Sequence, residues 1–221
     1  MKILVRPRLT TPSSPSSLTV SPARVRVQSR PLRVLDFDIE NRPLSYLGMD
    51  FTTGEVTAIS WAWTDQPDAV TVYLLGETAL PNILSAFVAA YQQADMVTGH
   101  YITGHDLPML NGALMEQQMP ALQDKYVQDT KTSLIRSKGI SLSQESLGAM
   151  LRLDHIKVQM NQAKWRAANR LTPEGMASVR ERVTGDVQQH MALRRELLLL
   201  GYLSPPRLWK SGTAKVEAYT P

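Results

Sequence analysis

The stretch VLDFDIE, residues 34–40, sets the hardest condition on how this chain can fold. It has the apolar content of a buried strand, yet it carries Asp36, Asp38 and Glu40. Side chains alternate along a strand, so the three carboxylates project from one face while Val34, Leu35, Phe37 and Ile39 supply the apolar remainder. Carboxylates this close repel one another unless a positive group sits among them. The fold must therefore bury this strand and also bring a cation to it.

The chain around it supports a full core. Of 221 residues, 43% are hydrophobic, which suits one domain of ordinary size with tails. The segments GEVTAISWAWT (54–64) and AVTVYLL (69–75) are rich in strand formers and read as a hairpin across DQPD. PNILSAFVAAYQQA (81–94) has helical spacing, with Pro81 in its first turn. DMVTGHYI is a short strand, HDLPMLNGALMEQQ a helix entered through Asp106 and Pro108, and KYVQDT another strand. SLSQESLGAMLRL reads as a helix with Ser143 as N-cap, and KVQMNQAKWRAANRL as a linking or helical segment. Residues 172–202 read as one long helix, with Thr172 at the N-cap and Pro173 just inside. Strands alternating with helices predict an α/β fold, a mixed sheet flanked by helices.

Seven basic residues (Lys2, Arg6, Arg8, Arg24, Arg26, Arg30 and Arg33) precede the first acidic one, Asp36, so the net charge of +4 becomes −3 for the remainder. Residues 1–31 read as a basic, Ser/Pro-rich, flexible arm able to meet nucleic-acid phosphate. ARVRVQ (23–28) alternates like an edge strand. The prolines interrupt any amphipathic transit helix. The main domain is expected over 32–203, and 204–221 reads as a loose basic tail. The chain has no cysteine, which excludes disulfides, a thiolate zinc site and a cysteine nucleophile. It has no apolar run long enough for a transmembrane helix, so no membrane association and a cytoplasmic location are expected.

Three further aspartates stand out. Asp106 follows a glycine-punctuated strand in TGHYITGHDLPML, Asp129 lies in VQDT, and Asp186 lies in the long helix beside the stripe of Val179, Val183 and Val187. A carboxylate at the edge of a buried face needs a partner. An acidic constellation without cysteine and with four histidines points to a hard cation on oxygen ligands, Mg²⁺ or Mn²⁺. Two such ions about 3.5–4 Å apart can hold a water and a leaving oxygen on either side of a phosphate.

FDIE, TGHYITGHDLPML and the helical GDV closely resemble the three motifs of the DEDD (DnaQ-like) 3′–5′ exonucleases, which have a ribonuclease H-like fold. The likeness is greatest to the proofreading domains of family B DNA polymerases and their stand-alone relatives. It covers about residues 32–200, which makes 32–203 the expected exonuclease domain. WRAANRL also resembles the matching stretch of small phage-type exonucleases. The resemblance implies a stand-alone enzyme with Asp38, Glu40, Asp106 and Asp186 holding two ions, acting on single-stranded or frayed DNA 3′ ends and releasing nucleoside monophosphates. Replication proteins are further expected partners. The sequence departs from the motifs at four positions. Tyr101 stands where the second motif has Asn, and His105 where it has an aromatic. In the third motif Arg182 stands where the family has Tyr, and Glu181 where it has His. Arginine cannot act as a base because it stays protonated, so Glu181 and His190 are the stand-ins to consider. Tyr101, His105, Arg182 and His190 are the candidate substrate contacts.

Other residues carry weaker expectations. His100 could meet phosphate. Asp36 is expected to support its neighbours, and Asp129 to cap the segment after it. Trp61, Trp63 and Trp165 could stack on bases, although core packing suits at least one of the first two. Arg194, Arg195, Lys164 and Arg166 could line a phosphate track. Two alternative functions are open: a 3′–5′ exoribonuclease, since nothing reports on the 2′-OH, and a catalytically silent nucleic-acid-binding module motivated by Arg182.

Overall fold

The computed structural model describes residues 30–44, 51–154 and 159–212. The chain divides into two units, Met1–Pro31 and Leu32–Pro221. The arm and its suggested edge strand at 23–28 lie outside the described residues, and the sheet and helices all belong to the second unit.

Six strands form one mixed sheet: β1 (Val34–Pro43), β2 (Gly54–Trp63), β3 (Thr71–Leu74), β4 (Met96–Gly99), β5 (Lys125–Asp129) and β6 (Arg207–Trp209). Their order is β3-β2-β1-β4-β5-β6. β1, β4 and β5 run parallel, while β2 and β3 on one side and β6 on the other pair antiparallel. Six helices complete the described fold: α1 (Leu80–Gln93), α2 (Asp106–Glu116), α3 (Thr130–Leu134), α4 (Gln144–Met150), α5 (Gln162–Asn169) and α6 (Pro173–Leu199). This is an α/β architecture, as the alternation of strands and helices predicts, and it is consistent with the ribonuclease H-like fold that the resemblance implies. Among the described residues, no helix is long and apolar enough to cross a membrane.

The two faces of β1 go to different neighbours. Leu35, Phe37 and Ile39 pack into the main core with Ile83, Leu84 and Phe87 of α1 and Leu107, Leu110 and Leu114 of α2. Phe37 and Phe87 meet with ring centroids 5.0 Å apart. Asp36, Asp38 and Glu40 face the other way, toward α6. Opposite them on β2 stand Ala62, Ser60 and Ala58. Residues directly opposite in an antiparallel pair share a face, so the carboxylates have only small side chains beside them on that strand. This is why a long helix can lie close against the acidic face: Ser60 Oγ donates to the Val183 carbonyl at 3.1 Å, and Ala58 and Ala62 pack against Val183 and Val187.

The long helix begins as expected, with the Thr172 side chain accepting from Gly175 N–H and Pro173 in the first turn. Ser143 caps α4 and Asp129 caps α3 in the same way. α3 itself is five residues long and has no counterpart in the elements expected from sequence. The C-terminal segment is a correction. Residues 207–209 are a strand on β5, Trp209 packs on the main core, and Lys210 and Ser211 are held by Asp124 at 3.0 Å each. Three residues are too few to show a period, so the strand was illegible.

Two helical glycines give opposite expectations. A methyl at Gly175 would fall on the Ala167–Ala168 peptide of α5, whereas one at Gly112 would meet nothing within 4 Å. Gly175→Ala should therefore destabilise by about 1–3 kcal/mol, and Gly112→Ala should stabilise by up to about 1 kcal/mol. Chemical denaturation of both variants tests this, and a stabilised Gly175→Ala would contradict the close α5–α6 packing.

Candidate metal centre

α6 crosses the acidic face of β1 in antiparallel sense, and the two periods nearly match. Four helical residues rise about 6 Å, and two strand residues about 6.6 Å. Positions 182, 186 and 190 of α6 therefore face positions 40, 38 and 36 of β1 as three rungs. In the first, Arg182 Nε donates to Glu40 Oε1 at 2.6 Å. In the third, His190 Nδ1 lies 2.6 Å from Asp36 Oδ2. The middle rung sets Asp186 against Asp38, acid on acid. One carboxylate oxygen each from Asp38, Glu40 and Asp186 lies within 4.8 Å of the others. Asp186 is buried and the other two half-buried.

Arg182 also approaches Asp186 Oδ2, at 3.6 Å, and its guanidinium lies 5.2 Å from the Trp165 ring. Burial pulls its pKa down. The Glu40 hydrogen bond and the charges of Asp186, Glu40 and Asp38 outweigh that and raise it. A cation of the protein's own already stands at the edge of the cluster.

The fourth motif aspartate is placed differently. Asp106 opens α2, where a negative charge suits the helix N-terminus. Its Oδ1 accepts from Ile39 N–H at 3.3 Å, and its Oδ2 lies 3.3 Å from His105 Nδ1. It thus sits against β1 at the residue between the two strand carboxylates without joining the three-oxygen group. The hydrogen bond to Asp106 raises the His105 pKa, and the ring remains substantially exposed.

Asp129 shapes the loop before α2. Its carboxylate accepts from Tyr101 N–H at 3.0 Å, Thr103 N–H at 3.1 Å and Thr103 Oγ1 at 2.7 Å, besides capping α3. The loop holds Tyr101 at φ +71°, a region that favours Asn or Gly. The Tyr101 ring lies exposed under Lys131 Nζ at 4.0 Å and over Gly104, where any Cβ would strike it.

The histidines divide. His190 is buried away from the oxygen cluster and belongs to a polar chain that runs across the fold. Its Nε2 lies 3.0 Å from Thr130 Oγ1, which is 2.9 Å from His100 Nδ1, and His100 Nε2 is 2.8 Å from the Leu142 carbonyl. A carbonyl can only accept, so His100 Nε2–H donates. Burial pushes the His100 pKa down to about 4, leaving Nδ1 to accept from Thr130. The Thr130 hydroxyl also reaches the Gly99 carbonyl at 3.3 Å, so its one proton is shared between that carbonyl and the His100 ring, and its oxygen lies within hydrogen-bond reach of His190 Nε2. Asp36 ends the chain, with burial raising its pKa and His190 opposing the rise. His100 and His190 are thus internal, where substrate contact was expected. Glu181 is exposed on α6 and is absent from the three-oxygen cluster.

Several of the aromatic and basic candidates also have partners within the fold. Trp61 is buried in the core, and Trp63 carries Arg33 over its ring at 4.0 Å. Arg194 donates to Gln128 Oε1 at 3.0 Å. The residues that sequence reasoning missed are Trp165 and Arg182 as a pair. The matching spacings 36/38/40 and 182/186/190 were the signal that could have found the rungs.

No family model and no curated protein matches the chain. A family B DNA polymerase from the hyperthermophilic archaeon Pyrobaculum calidifontis has a similar fold, with a TM-score of 0.59 and 16% identity over 76% of this chain. The match spans 25% of that polymerase. The chain therefore shares its fold with part of a family B DNA polymerase, and it carries an acidic triad where α6 crosses β1.

The buried polar chain gives a pH prediction. His100 has a lowered folded pKa, so the unfolded chain binds its proton first as pH falls below about 6.5. Its stabilising contribution is full above that value and is lost as pH falls toward about 4. The difference in unfolding free energy between wild type and His100→Gln should change by roughly 2–3 kcal/mol across that window. Urea melts at pH 7.5 and 4.5 check it; a pH-independent difference would refute the buried neutral ring.

Proposed function

We propose that this protein is a metal-dependent 3′–5′ exonuclease that hydrolyses the terminal phosphodiester of single-stranded or frayed DNA. The observation that carries the reading is the meeting of Asp38, Glu40 and Asp186 within 4.8 Å where α6 crosses β1, in a fold similar to part of a family B DNA polymerase. The donor set fits the implied metal, since it consists of carboxylate oxygens and suits Mg²⁺ or Mn²⁺ over softer ions. Asp38, Glu40 and Asp186 would hold the metal, with Asp106 beside them. When bound, such a cation supplies Lewis acidity toward a phosphoryl oxygen and toward water.

The chain's own residues do the rest. The strand and helix hold the carboxylates in register before substrate arrives. Asp106 is oriented by Ile39 N–H and His105, and that contact raises the pKa of His105, which stands at the exposed rim where its protonated form would suit a phosphate oxygen. Arg182 adds a fixed positive charge at the edge of the cluster, where it would offset negative charge building on the attacked phosphoryl group and the leaving 3′-oxygen. The alternative of a silent binding module draws on the same arginine, which stands where a base would be needed.

The deciding assay uses a 5′-labelled single-stranded DNA in Mg²⁺, Mn²⁺ and EDTA, beside a matched RNA. Metal-dependent shortening from the 3′ end is expected, with Asp38→Ala reduced more than about 100-fold. Full activity in Asp38→Ala would sink the assignment. Tight 3′-end binding without cleavage in Mn²⁺ would favour the silent module, and faster cleavage of RNA the exoribonuclease.

A further inference from the structure

Arg182 is placed too deliberately to be a mere loss of the expected residue. It leaves α6 one turn before Asp186, and its side chain is only 15% exposed. Nε is 2.6 Å from Glu40 and 3.6 Å from Asp186, and Trp165 of α5 flanks the guanidinium. An arginine keeps its charge at any working pH. It therefore contributes a permanent cation to a group of three carboxylates.

We propose that Arg182 takes the part of one metal ion, so that the site binds a single divalent cation per chain. This rests on the metal-dependent reading above and gives it a stoichiometry. The three carboxylates carry three negative charges, the guanidinium cancels one, and one divalent ion neutralises the two that remain. A second divalent ion would leave the group positive as a whole. It would also compete for Glu40, whose Oε1 already accepts a short charge-assisted hydrogen bond from Arg182 and whose remaining capacity the first ion uses. Asp106 does not make up the deficit, because its oxygens are directed to Ile39 N–H and to His105. The single ion belongs at the acid-on-acid rung of Asp38 and Asp186, with Glu40 shared between it and Arg182.

The test is Mn²⁺ titration of the full chain by calorimetry, with electron paramagnetic resonance counting the free ion. Wild type should bind one ion, Arg182→Lys one, and Arg182→Gln two. Two ions on the wild type would overturn the proposal, as would a single ion on a folded Arg182→Gln. Either result leaves the exonuclease reading standing, because cleavage is assayed separately. No bound ion in wild type or in Arg182→Gln at millimolar Mn²⁺ would remove the metal reading itself and this inference with it. Should Arg182→Gln fail to fold, the wild-type count decides alone: one ion, lost in Asp38→Asn, supports the proposal and two refute it.

Discussion

Three acids on one face of a buried strand make the pairing of β1 with α6 the interaction on which the rest depends. Hydrophobic burial fixes the far face of β1 through Phe37 and its neighbours, but it cannot specify what lies on the acidic side. There the helix supplies a cation or a histidine at each outer rung and an opposing carboxylate at the middle one. Both outer contacts are short and shielded from solvent, and a slip of register would break them, so the outer rungs hold the register. The middle rung is tolerated because its neighbours are satisfied. This division lets the protein keep two like charges face to face in a stable fold.

The same logic explains the surroundings. Ala58, Ser60 and Ala62 clear space for the helix, and Ser60 ties it down through Val183. The chain from Asp36 through His190 and Thr130 to His100 joins β1, α6, α3 and the loop after β4 by hydrogen bonds and ends on the Leu142 carbonyl. Such a network specifies one arrangement of the interior, since any slip leaves several buried polar groups unsatisfied.

Much of this was legible in the residues. The period of two in VLDFDIE placed its acids on one face, and Thr172–Pro173 with the valine stripe placed the long helix and turned Asp186 inward. The cap at Asp129 followed from a short polar side chain after a strand. What stayed hidden was either too short or too distant. β6 and α3 have no period to read. The Arg182–Glu40 and His190–Asp36 contacts span 142 and 154 residues, and no local propensity encodes such a meeting. Arg182 looked like a missing base because its partner was out of sight, and His190 looked catalytic because its burial was.

Those long separations bear on synthesis. The ribosome releases β1 well before α6, so the acidic face of the sheet is made before its cover. Until α6 emerges, Asp36, Asp38 and Glu40 can stay hydrated, and their mutual repulsion discourages premature docking of other apolar segments onto that side of the growing sheet. Contacts of such separation also close late and slowly. The carboxylates then act as a placeholder during folding, keeping one face of the sheet wet until the helix that fits it arrives.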